Sequence, residues 1–314
     1  MLSSRLLVTG ATGFVGRFLA MRLQKDGYAV RGAVRRPLTG AVPFEPVVTG
    51  AVDGRTDWQP ALEYVDTVIH LVARTHATVE RYGDLAGYRR VNVDGTRKVA
   101  EQAAAVGVRR LVFVSSVKVN GERTTERPFN AADMPAPEDP YGMSKWEAEQ
   151  ALREVAACTG LETVIVRPPL IYGPGVKANF ARLWSWVERG VPLPFAAVHN
   201  RRSLVALPNL IDLLVRCVEA LEAPGKTFLV SDGEDVSTPG LVREMAVAMG
   251  KKPRLFAVPP SALRLVGRLS GRSAEVERLC GSLQVDIDDT RRVLDWQPPV
   301  TLQQALRQMV EQAW

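Results

Sequence analysis

The stretch Leu6-Leu7-Val8-Thr9-Gly10-Ala11-Thr12-Gly13-Phe14-Val15-Gly16 stands close to the beginning of the 314-residue chain. Leu6, Leu7 and Val8 form a short continuous apolar run, as in a strand buried on both faces. Val15, Phe18, Leu19 and Leu23 then recur at helical spacing, and Gly27 supplies the stop. Between the two, glycines at 10, 13 and 16 let the backbone turn tightly, approach a pyrophosphate and pack helix on strand. The start of that helix offers unsatisfied N–H groups and a partial positive charge to phosphates. Gly10, Thr12, Gly13, Phe14, Val15 and Gly16 are therefore the candidate dinucleotide cradle.

Outward from the cradle, strands are expected at 28–34, 67–72, 111–114 and 163–166, and helices at about 91–106 and 141–158. Gly107 closes the first of these helices. The alternation argues for an α/β fold, a Rossmann-type doubly wound parallel sheet. From Arg167 the texture changes: prolines cluster at 168, 169, 174, 192 and 194, and short helices dominate. This predicts a smaller, interleaved C-terminal substrate region. Residues 1–167 are expected to form the dinucleotide-binding domain, with 226–250 returning to it through a strand at 228–231. Residues 168–225 and 251–314 are expected to bind substrate.

Forty basic against 34 acidic residues leave a net charge of +6. Such an excess suits nucleic acid, a membrane surface or a polyanionic small molecule. The basic residues are scattered doublets without interleaved aromatics, which argues against nucleic acid. No apolar run reaches the roughly 20 residues of a membrane span, so no membrane insertion is expected. Cys158, Cys217 and Cys280 are an odd, widely spaced set that fits a reducing compartment. Residues Met1 to Arg5 lack a signal peptide's architecture, and a cytoplasmic location is expected. His70, His76 and His199 have no partner at i+3 or i+4, no C-x-x-C pair occurs, and no metal is expected. There is no G-x-S-x-G elbow, so nothing supports a serine hydrolase.

Tyr141-Gly142-Met143-Ser144-Lys145 places a phenol and an ammonium one helical turn apart on one face. A phenol titrates near pH 10, and a nearby cation lowers that value toward use as an acid/base group. Hydride transfer at an alcohol carbon needs such a group at the oxygen. The strand at 111–114 delivers Ser115 and Ser116 to its carboxyl edge, where ligands of parallel sheets bind. At the end of the second strand, Val34-Arg35-Arg36 offers no acid for the adenosine ribose. Arg35 and Arg36 suit a 2′-phosphate instead, so NADP is the expected cofactor, with NAD possible.

The G-x-x-G-x-x-G spacing, together with Tyr141 and Lys145, resembles the short-chain dehydrogenase/reductase superfamily. The resemblance runs from Leu6 to about Pro299, and is to its extended, nucleotide-sugar branch of NAD-dependent epimerases and dehydratases. It implies that Ser116, Tyr141 and Lys145 are catalytic, that Lys145 reaches the nicotinamide ribose, and that Ser115 is structural. It implies further cofactor contacts at Leu71, Val72, Ala73, Asn92 and Pro168. Ser116, Lys118, Tyr141, Asn179 and Arg202 are implied to meet a nucleotide-sugar substrate, Arg202 at its diphosphate. Asn120 stands where many relatives carry tyrosine. Val117 and Lys118 replace the Asp-Glu pair of 4,6-dehydratases, which argues against that reaction. A homodimer along the helices near 91–106 and 142–158 is implied as well. Within the branch, the chain is most similar to reductases of UDP-4-keto-6-deoxy-N-acetylhexosamines, the UDP-N-acetylquinovosamine dehydrogenase group of surface polysaccharide synthesis. The alternatives are a UDP-sugar 4-epimerase retaining NAD, a reductase of small ketones, and a non-catalytic NADP-binding sensor.

Overall fold

A computed structural model describes residues 4–75 and 84–311; His76 lies outside them. The strands are β1 (Arg5–Thr9), β2 (Ala29–Val34), β3 (Glu45–Val48), β4 (Thr67–His70), β5 (Arg110–Val114), β6 (Glu162–Arg167), β7 (Leu170–Tyr172), β8 (Arg202–Ala206), β9 (Thr227–Leu229) and β10 (Asp235–Val236). Seven of them form one sheet in the order β3-β2-β1-β4-β5-β6-β9, every pair parallel. Crossover helices cover both faces, as a parallel sheet requires. Alternate residues of each strand serve opposite layers. Leu6 and Val8 pack with Leu19, Leu23, Leu210 and Leu214, whereas Leu7 packs with Val99, Ala103 and Leu152. Each such fully buried aliphatic side chain contributes roughly 1.5–3 kcal/mol.

The chain runs outward from β1 to β3 and resumes at β4, on the other side of β1. A crevice opens at the carboxyl ends of β1 and β4, where strand order reverses. The cradle follows β1, and Leu71 follows β4. The strand expected to reach Val72 ends at His70, because Leu71 and Val72 donate their N–H groups to Thr9 Oγ1 (3.1 and 3.4 Å). His70 itself is core: fully buried, bonded to Thr9 (2.8 Å) and Thr96 (3.1 Å), and stacked on Phe113.

Three further features differ from the sequence expectations. β3 was not anticipated, since it is a short edge strand that is mostly exposed and carries Pro46. The helix expected from 91 begins at Leu85, capped by Asp84 accepting from the Gly87 N–H (2.9 Å), and passes through a π-helical turn at Arg90–Asp94. The region after Arg167 holds a second sheet, β10-β8-β7, among its helices. Its core includes Tyr172, Phe180, Trp184, Leu204 and Met245, with Tyr172 and Phe180 stacked at 5.2 Å. β9 meanwhile pairs with β6 and completes the large sheet.

Candidate active site

Gly10 takes a left-handed conformation (φ 69°), and its Cα side lies against Val72. A Cβ on Gly16 would stand 2.1 Å from the Gly10 carbonyl oxygen, so helix and turn meet here only through glycine. Gly13 donates its N–H to Gly10 O (2.9 Å) and begins the Phe14–Lys25 helix with no side-chain cap. Thr12 and Gly13 are exposed, while Phe14 and Val15 turn partly into the core. Uncapped N–H groups at an open helix start fit a dinucleotide's pyrophosphate.

Leu71, Val72 and Ala73 form the facing loop, each partly buried. Asn92 was expected to contact the cofactor, and the structure gives it another task. Fully buried, it accepts from Arg74 N (2.7 Å) and donates to Arg74 O (3.1 Å) and Ser144 Oγ (2.9 Å). Its amide is thus committed to holding that loop against the Pro140–Thr159 helix. Beyond β2, Val34 is buried, and Arg35 and Arg36 are exposed, with no ion pair to any described residue.

Asp139 caps the Pro140–Thr159 helix by accepting from Gly142 N (2.7 Å). Two residues later, Tyr141 hydrogen-bonds Ser116 and meets the edge of the Tyr88 ring. Desolvation and then Asp139 push the Tyr141 phenol above its ordinary range, against the Ser116 hydrogen bond. Lys145 is not among these causes; the lowering expected from the sequence rests on the lysine together with the positive nicotinamide. Lys145, 1% exposed, donates to the Val114 carbonyl (2.7 Å) and lies 4.0 Å over the Phe113 ring. Burial pulls its amine down to about 7, with Glu149 opposing.

The two adjacent serines divide cleanly. Ser115 donates to Glu149 (2.6 Å), whereas Ser116 accepts from Lys118 N (3.2 Å) and faces Tyr141. Glu149 is also held bidentately by Arg167 (2.8 and 2.6 Å), whose remaining nitrogen donates to Asn120 Oδ1 (3.0 Å). Asn120 is therefore a buried scaffold residue. Lys118 was expected at the substrate, but its ammonium is paired with Glu122 (2.6 Å) and Asp139 (2.5 Å). It ties the Ser116 turn to the cap of the Pro140–Thr159 helix. Pro168, buried, accepts from Val117 N (3.0 Å) and fixes the same turn.

On the substrate side, Asn179, Phe180, Leu204, Arg202 and Arg278 line one pocket. Asn179 accepts from Arg182 (2.6 Å), and Arg202 donates to the Gly281 carbonyl (3.1 Å). Burial and then the like charge of Arg278 hold the Arg202 guanidinium below its usual range. Neither arginine has a carboxylate ion pair among the described residues. Two guanidiniums lining one pocket, neither in a carboxylate ion pair, suit an anion. Arg278 escaped the sequence reading because a lone arginine on the Ser273–Cys280 helix belongs to no motif. Behind the pocket, Tyr172 donates to Asp232 (2.8 Å), which also accepts from Ala206 N and Asn209 (both 2.7 Å). Burial raises Asp232 to about 6.

The cradle, the Ser116–Tyr141–Lys145 group and an arginine pocket thus occur in one chain. The family model described as NAD dependent epimerase/dehydratase family matches residues 6–230. The chain belongs to that family. A UDP-glucose 4-epimerase of Vibrio cholerae is 45% identical over 312 residues, 98% of this chain and 94% of the relative. The UDP-N-acetylglucosamine 4-epimerase of Bacillus cereus superposes with a TM-score of 0.81 at 19% identity, covering 98% of both chains. The UDP-glucuronic acid 4-epimerase of the same organism, solved in complex with NAD, gives 0.78 at 21% identity and covers 98% and 99%. The family relationship makes the chain an NAD-dependent enzyme of the epimerase/dehydratase type, and the two superpositions show its fold.

Proposed function

We propose that the chain interconverts the C4 epimers of a UDP-linked hexose, with NAD retained through each turnover. The observation that carries this choice is the 45% identity, over nearly the whole length of both chains, to a UDP-glucose 4-epimerase. The net reduction of a 4-keto-6-deoxy-N-acetylhexosamine expected from the sequence is less well supported. In this reading, the large sheet and its helices carry the cofactor, and the region around the small sheet carries the nucleotide sugar. Packing crosses the boundaries expected at 168–225 and 226–250, since Leu210 and Leu214 pack with β1 and Met245 joins the small region's core.

The cradle N–H groups from Gly10 to Gly16 would hold the pyrophosphate, and Lys145 the nicotinamide ribose. Bound NAD supplies the acceptor and donor of the C4 hydride. Tyr141 takes the proton from the C4 hydroxyl and returns it, and Ser116 hydrogen-bonds the same oxygen. A phenol raised by desolvation and by Asp139 needs positive charge beside it to serve as a base, which the cofactor and Lys145 together would bring. Arg202 and Arg278 would grip the diphosphate, leaving the hexose free to present either face. The three free cysteines suit a reducing cytoplasm, and pairing of two copies along the Gly95–Ala105 and Pro140–Thr159 helices belongs to the same proposal.

The test is proton NMR of UDP-glucose incubated with protein to which no cofactor is added. Growth of the UDP-galactose anomeric signal is the expected result. Tyr141→Phe is expected to slow it about 10²–10⁴-fold while the nucleotide stays bound. A second reading, an NADPH-consuming reductase, is favoured by one observation, the two unpaired arginines after β2 where no carboxylate stands. No epimer, an empty cofactor site, and NADPH oxidation on adding a UDP-4-keto sugar would replace the first reading with the second.

A further inference from the structure

The Pro260–Leu269 helix carries apolar side chains on the face turned away from the protein. Leu269 is 81% exposed, Val266 63% and Leu265 58%, and Phe256, just before the helix, is 49% exposed. The opposite face packs through Leu263 and Gly267, where a Cβ on Gly267 would stand 2.7 Å from Val276 of the next helix. At 100° per residue, Arg264 and Arg268 form a stripe between the two faces. Exposed apolar groups clustered on one helix of a folded chain mark a contact surface.

The charge around this helix says what would cover it. Residues 251–280 contain seven basic and two acidic residues, an excess of five within a chain whose net charge is +6. Both acids are already paired, Glu275 with Arg182 (3.2 Å) and Glu277 with Arg264 (3.1 Å). Lys252, Arg268 and Arg272 are exposed and have no ion pair among the described residues. A second copy meeting this surface about a two-fold axis would set like excess against like. An anionic bilayer meets both requirements at once, taking the apolar side chains at the acyl boundary and the cations among its headgroups.

We propose that the Pro260–Leu269 helix is an interfacial docking element for an anionic phospholipid surface. It lies in the plane of the bilayer and does not cross it. No helix among the described residues is long and apolar enough to do so. The helix packs on the Ser273–Cys280 helix, which carries Arg278. Docking therefore sets the arginine pocket close to the membrane face. This inference stands on exposure and charge, independently of which nucleotide-sugar reaction the chain performs.

The test is flotation of the whole protein with phosphatidylcholine vesicles, with and without phosphatidylglycerol. Binding is expected only with phosphatidylglycerol and is expected to weaken with salt. Leu269→Asp and Arg268→Glu are each expected to lower vesicle affinity about tenfold while turnover of the soluble nucleotide sugar stays unchanged. Should Leu269→Asp fail to fold, Arg268→Gln, a change at an exposed and unpaired site, tests the charge contribution alone. Equal binding to neutral vesicles, or no binding at all, would overturn the proposal. So would a Leu269→Asp protein that binds as well as the parent. Sedimentation showing that Leu269→Asp separates a dimer would assign the face to a second copy and overturn it too.

Discussion

Arg167 lies buried beneath the Pro140–Thr159 helix, and Arg202 lies half-buried in the region around the small sheet. Arg167 meets Glu149 bidentately and Asn120 at its remaining nitrogen, so its burial is matched by partners. Arg202 donates to one backbone carbonyl, and the like charge of Arg278 acts on it more strongly than the opposite charge of Glu122. The first arrangement orders the scaffold under Ser116, Tyr141 and Lys145 by clamping β6, the Ser115 strand end and the helix together. The second leaves a positive charge that costs free energy until an anion arrives. Pairing, rather than burial, separates an arginine that builds the fold from one that waits for a ligand.

Removing the partner of Arg167 and removing Arg202 itself should therefore have unlike consequences. Glu149→Gln strands Arg167 in the interior and is expected to cost about 3–5 kcal/mol of stability, read from denaturant unfolding. Arg202→Gln is expected to raise KM for the nucleotide sugar about 10–100-fold and leave the unfolding midpoint near that of the parent. A large loss of stability in Arg202→Gln would erase the distinction between the two sites.

The buried His70 extends the contrast to pH, because burial holds its imidazole down at about 3 against an ordinary 6.5. The folded chain keeps it neutral while the unfolded chain protonates it. Its contribution is full above pH 6.5 and drains away as pH falls toward 3, by about 1.4 kcal/mol per unit. Unfolding measured across that range should show this slope, and His70→Asn should flatten it. Smallest is the effect expected on the adenosine side. If Arg35 reads a 2′-phosphate, Arg35→Ala lowers the NADP-to-NAD affinity ratio, measured by titration, with stability unchanged. An unaltered ratio would return Arg35 to the solvated surface.

Much of this was legible in the chain. The cradle could be read because Gly10 and Gly16 answer to local sterics, a left-handed turn and a contact with no room for a Cβ. Six strands of the large sheet could be read because burial on both faces demands continuous apolar runs. β3 could not, being an exposed edge held by its neighbour alone. The small sheet joins residues 170–172, 202–206 and 235–236, segments too short to carry a pattern of their own. Asn92 and Lys118 looked like ligand contacts because position in a motif does not reveal what a side chain has already bonded.

The sequence by itself determined the strand-turn-helix cradle, the Tyr141–Lys145 spacing and the doubly wound order of elements. These depend on residues close in the chain and on backbone rules that hold in any context. Only the tertiary structure decided that Glu149 belongs to Arg167, that Lys118 pairs with Glu122 and Asp139, and that Arg278 shares a pocket with Arg202. Those pairings join residues from separate elements, and their energies depend on distance and dielectric, which exist only once the chain has packed.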